Sequence, residues 1–169
     1  SSVNAIDFLV KKGHKRIGYI QGPSTLTIKN ERLQGYYAGL KKNRLTADES
    51  LIVNSDLSAA SSQTALEKLI SLKNRPTAVI AFNDYVALDA MQHARSKKLK
   101  INKDICFVSY ANLPITHYLE TPPLASVEQF PYEQGVRATE LLLKLIETKL
   151  EQETIPYENV VLKSELIIH

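Results

Sequence analysis

The stretch from Arg75 to Met91, RPTAVIAFNDYVALDAM, constrains the fold of this chain more than any other. Pro76 closes a polar turn, and Ala78 to Phe82 is a short unbroken apolar run. A run of that length between turn signals reads as a strand buried on both faces. Asp84 then stands at an N-cap position, ahead of Val86, Ala87, Ala90, Met91 and Ala94 at helical spacing. The strand therefore hands over to a helix through Asn83 and Asp84, at its carboxyl end. In open parallel sheets that edge is where ligands bind.

The rest of the chain repeats the plan. Further strands are predicted at Arg16–Ile20, Leu51–Val53, Ile105–Ser109 and Leu124–Val127. Between them lie predicted helices. The first covers residues 2–12, with Val3, Ile6 and Val10 inward and Gly13 as the C′ residue; the second covers 28–42, with Leu33, Tyr36, Tyr37 and Leu40 inward. A third starts from Ser58 and carries Ala65, Leu66, Leu69 and Ile70 on one stripe, and a long one covers about 132–149. Val160–Leu162 and Leu166–Ile168 are expected to form a terminal hairpin. Alternation of strand and helix predicts an α/β fold, a parallel sheet with helices on both faces. Boundaries are expected at Gln21–Ser24 and Gln129–Pro131, with a third candidate at Glu151–Pro156.

At 169 residues, 44% apolar and 23% charged, the chain has the composition of a globular protein with a real core. A net charge of +3 is too small to argue for nucleic acid by itself. The lysine clusters at 11–16, 41–44 and 97–100 fall at predicted helix C-termini, where cations offset the helix dipole. No apolar run reaches membrane-spanning length, no secretory leader pattern is present, and the single cysteine, Cys106, fits a reducing compartment. A soluble, cytoplasmic protein with no membrane partner is expected. Nucleophile-elbow and phosphate-loop motifs are missing, and the four histidines have no metal-ligand spacing with Cys106 or one another. The expectation is no enzyme, no cofactor and no metal.

At the carboxyl edge the candidate ligand groups are Ser24, Leu57, Asn83, Asp84, Asn112 and Gln129, with Arg32 reaching in from its helix. Amide, carboxylate and guanidinium groups around a crevice suit a sugar or another small polar ligand. Each has a plainer reading beside it: Asp84 as N-cap, Asn83 as turn residue, Arg32 as a solvated helix arginine, Leu57 as core.

Five motifs, in order over nearly the whole chain, resemble the lactose-repressor (LacI) family of bacterial transcription regulators. They are Gly13-His14-Lys15-Arg16-Ile17 through Gly22-Pro23, Glu31-Arg32-Leu33-Gln34-Gly35-Tyr36, Pro76-Thr77-Ala78 through Phe82-Asn83-Asp84, Asp104 through Tyr110, and Pro123 through Gln129. The resemblance implies a type I periplasmic-binding-protein-like effector domain of two α/β lobes with a ligand in the cleft. It matches Arg32 to the family's effector-binding arginine, Asn83 to its cleft asparagine and Gln129 to a cleft-proximal hinge glutamine. It implies a homodimer through the helix from residue 84 to about 96 and the stretch from His117 to Pro123.

The resemblance also implies that residues 1–22 and 130–151 are remnants of an N-terminal lobe, and that 23–129 and 152–169 form the complete C-terminal lobe. Operator DNA would be bound only by a helix-turn-helix headpiece absent from this chain. Two departures bear on the ligand: Ala111 stands where the family carries a sugar-binding aspartate, and Leu57 where members often carry an aromatic platform. They count against a typical sugar effector and leave its identity open. The alternative is a solute-binding receptor of a transport system, which shares the fold.

Overall fold

The structure is a computed structural model that describes residues 1–151 and 158–169, and the side chains of all of these except 148–151. Its centre is a six-stranded sheet ordered β2-β1-β3-β4-β5-β6, in which β1 is Ile17–Gln21, β2 Ile52–Asn54, β3 Ala78–Ala81, β4 Cys106–Tyr110, β5 Ala125–Glu128 and β6 Glu165–Ile168. The first five strands run parallel; β6 lies antiparallel on β5, with Ser126 opposite Ile167. The expected terminal hairpin is thus corrected. Residues 158–164 form no strand, and Leu166–Ile168 pairs with β5. Joining an existing sheet satisfies one whole side of β6's backbone, and an isolated two-stranded hairpin is at best marginally stable.

Four helices cover the two faces. On one lie α1 (Ser2–Lys11) and α2 (Ile28–Lys42), whose Ala5, Ile6, Leu9, Tyr36 and Leu40 pack on Ile17, Tyr19, Ile80, Val108 and Val127. On the other lie α3 (Ala59–Ile70) and α4 (Asp84–Ser96), with Leu66, Leu69, Val86, Ala90 and Met91 against Ile20, Val79, Ala81 and Phe107. The two cores alternate along every strand, as a period of two requires. Burial on both faces is why β1, β3 and β4 read as continuous runs.

Sequence periodicity placed the inward face of α1 one step off. Ser2, Ala5, Ile6 and Leu9 are buried, while Val3 and Val10 are half-exposed. The reason is close helix contact: a Cβ on Gly39 of α2 would stand 2.7 Å from Ile6, and one on Gly35 2.6 Å from Ser2. Small residues let α1 and α2 approach along that line, and Ile6 sits at its centre. Gly13 ends α1 at φ +94, the left-handed C′ position.

Residues 1–22 do not stand apart from the remaining strands and helices of the sheet, which corrects the division expected at Gln21–Ser24. β1 is hydrogen-bonded between β2 and β3, and α1 shares a core with α2, so this segment lies in the middle of the sheet domain. By contacts the chain divides into Ser1–Glu128 with Glu165–His169, and Gln129–Ser164. The second unit contains a long helix, α5 (Pro131–Glu151), and among its other described residues Glu158 pairs with Lys144. Along α5, Leu142, Leu143 and Ile146 are more than half exposed. The boundary expected at Glu151–Pro156 lies outside the described residues beyond 151. Among the described residues no helix is long and apolar enough to cross a membrane.

Candidate functional site

Arg32 lies at the carboxyl ends of β3 and β4, against Phe82 and Tyr110. Its α2 position places it one turn before Tyr36, on the side facing the sheet, and only 8% of it is exposed. The guanidinium lies over two rings, 4.6 Å from the Phe82 centroid and 4.1 Å from that of Tyr110, and its Nη1 donates to the Phe82 carbonyl at 2.6 Å. A planar cation stacked on two rings is an arrangement lysine cannot reproduce. Burial lowers the arginine's pKa, while the Tyr110 and Tyr19 oxygens favour its charge. Arg32 is therefore a buried member of the sheet edge and not a solvated helix arginine.

Two tyrosines complete its surroundings. Tyr110 at the end of β4 shares a 2.7 Å hydrogen bond with Ser2 Oγ, and Tyr19 on β1 stacks on Tyr36 at 5.2 Å. Burial pushes both phenols up from their ordinary value, so each remains a neutral hydroxyl. Sequence reading passed over Tyr19, Phe82 and Tyr110 because each sits in an apolar strand run and reads as core. The available signal was strand alternation, which puts Tyr19 and Gln21 on the α2 side.

The cap role expected of Asp84 falls to Asn83. Asn83 is the N-cap of α4, its Oδ1 accepting from Val86 N at 2.9 Å. Asp84, 0% exposed, is one residue inside the helix, and both its oxygens are engaged within the domain. Oδ1 accepts from Ser109 Oγ and, at 2.7 Å, from Ser126 Oγ; Oδ2 accepts from Leu113 N at 2.6 Å. A carboxylate buried this way ties α4, β4, β5 and the loop after β4 together. It is removed from the ligand candidates.

The other predicted residues scatter along the edge. Asn112, at φ 52, donates from Nδ2 to Glu128 at 2.9 Å, and its backbone N–H bonds Ser126 Oγ; its Oδ1 is buried with no partner among the described residues. Ala111 beside it has φ 101, a region that favours glycine. Leu57, at φ 75, is partly buried and packs against the α3–α4 core. Ser24 is exposed in the turn after β1. Gln129 opens the second unit, its carbonyl accepting from Gln134 Nε2. Among the described residues no group of three or more His, Cys, Asp or Glu side chains is placed to hold a metal.

The domain is a mostly parallel α/β sheet with a buried, ring-stacked arginine at its carboxyl edge, the side on which ligands bind in open α/β sheets. The sequence matches the periplasmic binding protein-like domain family over residues 6–168. It is 34% identical over 143 residues to the HTH-type transcriptional repressor CytR of Escherichia coli (strain K12), covering 85% of this chain and 42% of that protein. It is 33% identical over 145 residues to the HTH-type transcriptional repressor PurR of Vibrio atlanticus (strain LGP32), covering 86% and 43%. The chain thus spans less than half the length of these relatives. Among solved structures it superposes with a TM-score of 0.88 on a LacI-family regulatory protein from Chloroflexus aggregans, at 31% identity over 99% of this chain and 58% of that one. A transcriptional regulator CelR–cellobiose complex gives a TM-score of 0.88 at 28% identity, over 99% and 50%. The chain belongs to the periplasmic binding protein-like family and, within it, to the effector-binding domains of LacI-family regulators.

Proposed function

We propose that this domain is the effector-sensing part of a LacI-type DNA-binding regulator, which takes a small polar, sugar-like ligand at the carboxyl edge of its sheet. The observation that carries the reading is Arg32, a cation held almost out of solvent at the carboxyl ends of β3 and β4. A carbonyl acceptor and two ring faces hold the guanidinium in place there, and a perturbed cation at such an edge is a candidate ligand group. The CelR relative with cellobiose supports a sugar-like effector, and the CytR and PurR relatives, as HTH-type repressors, support coupling to operator DNA in the whole protein. Those same relatives favour a regulator over a transport receptor of the same fold.

In the whole regulator, a cleft closes over the ligand and the change passes to a DNA-binding headpiece, a coupling between two sites through a two-state element. The protein dimerises through α4 and the stretch 117–123, where Tyr85 and Tyr118 are exposed. It acts without catalysis or a cofactor, in the cytoplasm alongside its DNA.

The test is calorimetric titration of the full-length regulator with cellobiose, adenosine and glucose 6-phosphate, with Arg32→Ala in parallel. Loss of binding in a variant that keeps its circular dichroism spectrum supports the reading. Equal affinity in the variant removes Arg32 from the site and overturns it.

A further inference from the structure

Two buried polar atoms on β1 have no partner among the described residues: the Tyr19 hydroxyl and Gln21 Oε1. Tyr19 is 0% and Gln21 7% exposed. Native domains pair nearly all such groups with protein or ordered water, so two in succession on one strand face call for an explanation. Both residues project to the α1–α2 side, since Ile17 and Tyr19 pack in that core and Ile20 in the other. Arg32 is close enough for its charge to act on the Tyr19 hydroxyl. Gln21 is the next residue on that face toward the carboxyl edge.

The backbone around them is rigid. The Gln21 carbonyl accepts from Ser55 N at 2.8 Å, and a Cβ on Gly22 would come within 2.7 Å of the Phe82 ring. The strand end that carries both side chains is thus tied to Ser55 and packed against Phe82, the ring on which Arg32 stacks. A third orphan acceptor, Asn112 Oδ1, lies after β4 at the same edge.

We infer that Gln21, supported by Tyr19, is a specificity-determining residue of the effector site. Its Oε1 accepts an N–H or O–H from an uncharged polar ligand, and the Tyr19 hydroxyl bonds the next polar atom of that ligand. Orphan carbonyl oxygens ask for donors, so the site selects a neutral molecule rich in N–H or O–H groups over a carboxylate or phosphate ester. A site built to hydrogen-bond a ligand donor discriminates strongly against analogues lacking it. The inference rests on the effector-site reading above, and the experiment separates the two.

Full-length Gln21→Leu, Gln21→Glu, Tyr19→Phe and Arg32→Ala would be titrated with cellobiose and adenosine as neutral probes and glucose 6-phosphate as the charged comparator. Thermal midpoints without ligand would be recorded for each. The expectation is tighter binding of a neutral probe by the natural protein, and a loss of about tenfold or more in Gln21→Leu with an unchanged or higher thermal midpoint. Gln21→Glu, which keeps an acceptor, regains part of it. Unchanged affinity in both Gln21→Leu and Tyr19→Phe, with binding lost in Arg32→Ala, overturns the inference and leaves the site where it is. Unchanged affinity in Arg32→Ala overturns the underlying reading. Preference for glucose 6-phosphate, or no binding of either neutral probe, overturns the neutral-ligand assignment.

Discussion

Arg32 Nη1 donates to the Phe82 carbonyl at 2.6 Å, which joins α2 to the last residue before the cap of α4. The residue proposed to meet the effector is thereby bonded to the turn that starts the helix proposed for the dimer. A ligand that draws the guanidinium away from that carbonyl would act on α4 directly. Arg32→Lys keeps the charge but loses the planar stack on Phe82 and Tyr110. Stability should fall by about 1–3 kcal/mol, since a buried acceptor loses its donor. Urea denaturation of the natural and variant proteins measures it; equal midpoints would mean the bond contributes nothing.

Asp84 gathers three donors from three other segments. Asp84→Ala leaves two buried hydroxyls and the Leu113 amide without their acceptor, at a cost of about 3 kcal/mol or more. Amide exchange of Leu113 should rise more than that of Ile20, which lies in the opposite part of the sheet. Uniform exchange changes would argue against a local tie.

Acid should weaken the fold in two windows. Burial holds His169 below its ordinary 6.5, with Asp84 opposing and His117 adding to the effect. The native state then prefers the neutral ring, so its contribution is present above pH 6.5 and is lost as pH falls through the depressed value. Glu67 is held down to about 2, first by the hydrogen bond from His93 and then by Lys97. Its contribution is present above its ordinary 4.5 and is lost on the way down toward about 2. His169→Gln should flatten the upper limb of a thermal-midpoint titration and Glu67→Gln the lower one. A limb unaffected by its own substitution removes that assignment.

Two glycines on helices predict opposite outcomes. Gly39→Ala puts a methyl 2.7 Å from the Ile6 side chain and should cost about 1–3 kcal/mol by forcing α1 away from α2. Gly135 in α5 has nothing within 4 Å of an added Cβ, so Gly135→Ala should stabilise the helix by roughly 0.5–1 kcal/mol. Denaturation midpoints of both variants decide the matter; the same sign in both would refute the packing account.

Ala111 carries a φ of 101 in the loop after β4. Ala111→Gly should relieve about 1 kcal/mol of backbone strain, read as a higher thermal midpoint. A lower midpoint would place the unfolded-chain entropy of glycine above the strain.

Much of the architecture was legible in the residues alone. Ala78–Phe82 followed by Val86, Ala87, Ala90 and Met91 announced β3 and α4, because a strand buried on both faces and a helix with one buried stripe leave different periods. Arg32 was visible as a candidate through the company of Glu31, Gly35 and Tyr36. Its state was not: burial and ring stacking depend on Phe82 and Tyr110, 50 and 78 positions further along the sequence.

The sequence by itself determined the α/β class and the order of the helices and of the first five strands. Local periodicity and capping chemistry carry that information within a few residues. Only the tertiary structure decided which strands pair, that residues 1–22 belong to the middle of the sheet, and that Leu166–Ile168 joins β5. It alone engaged Asp84 inside the domain while leaving the Tyr19 hydroxyl and Gln21 Oε1 without partners among the described residues. The reason is physical: an N-cap, an apolar stripe and a turn are short-range properties, whereas hydrogen-bond satisfaction of a buried group depends on segments distant in the chain arriving at the same place.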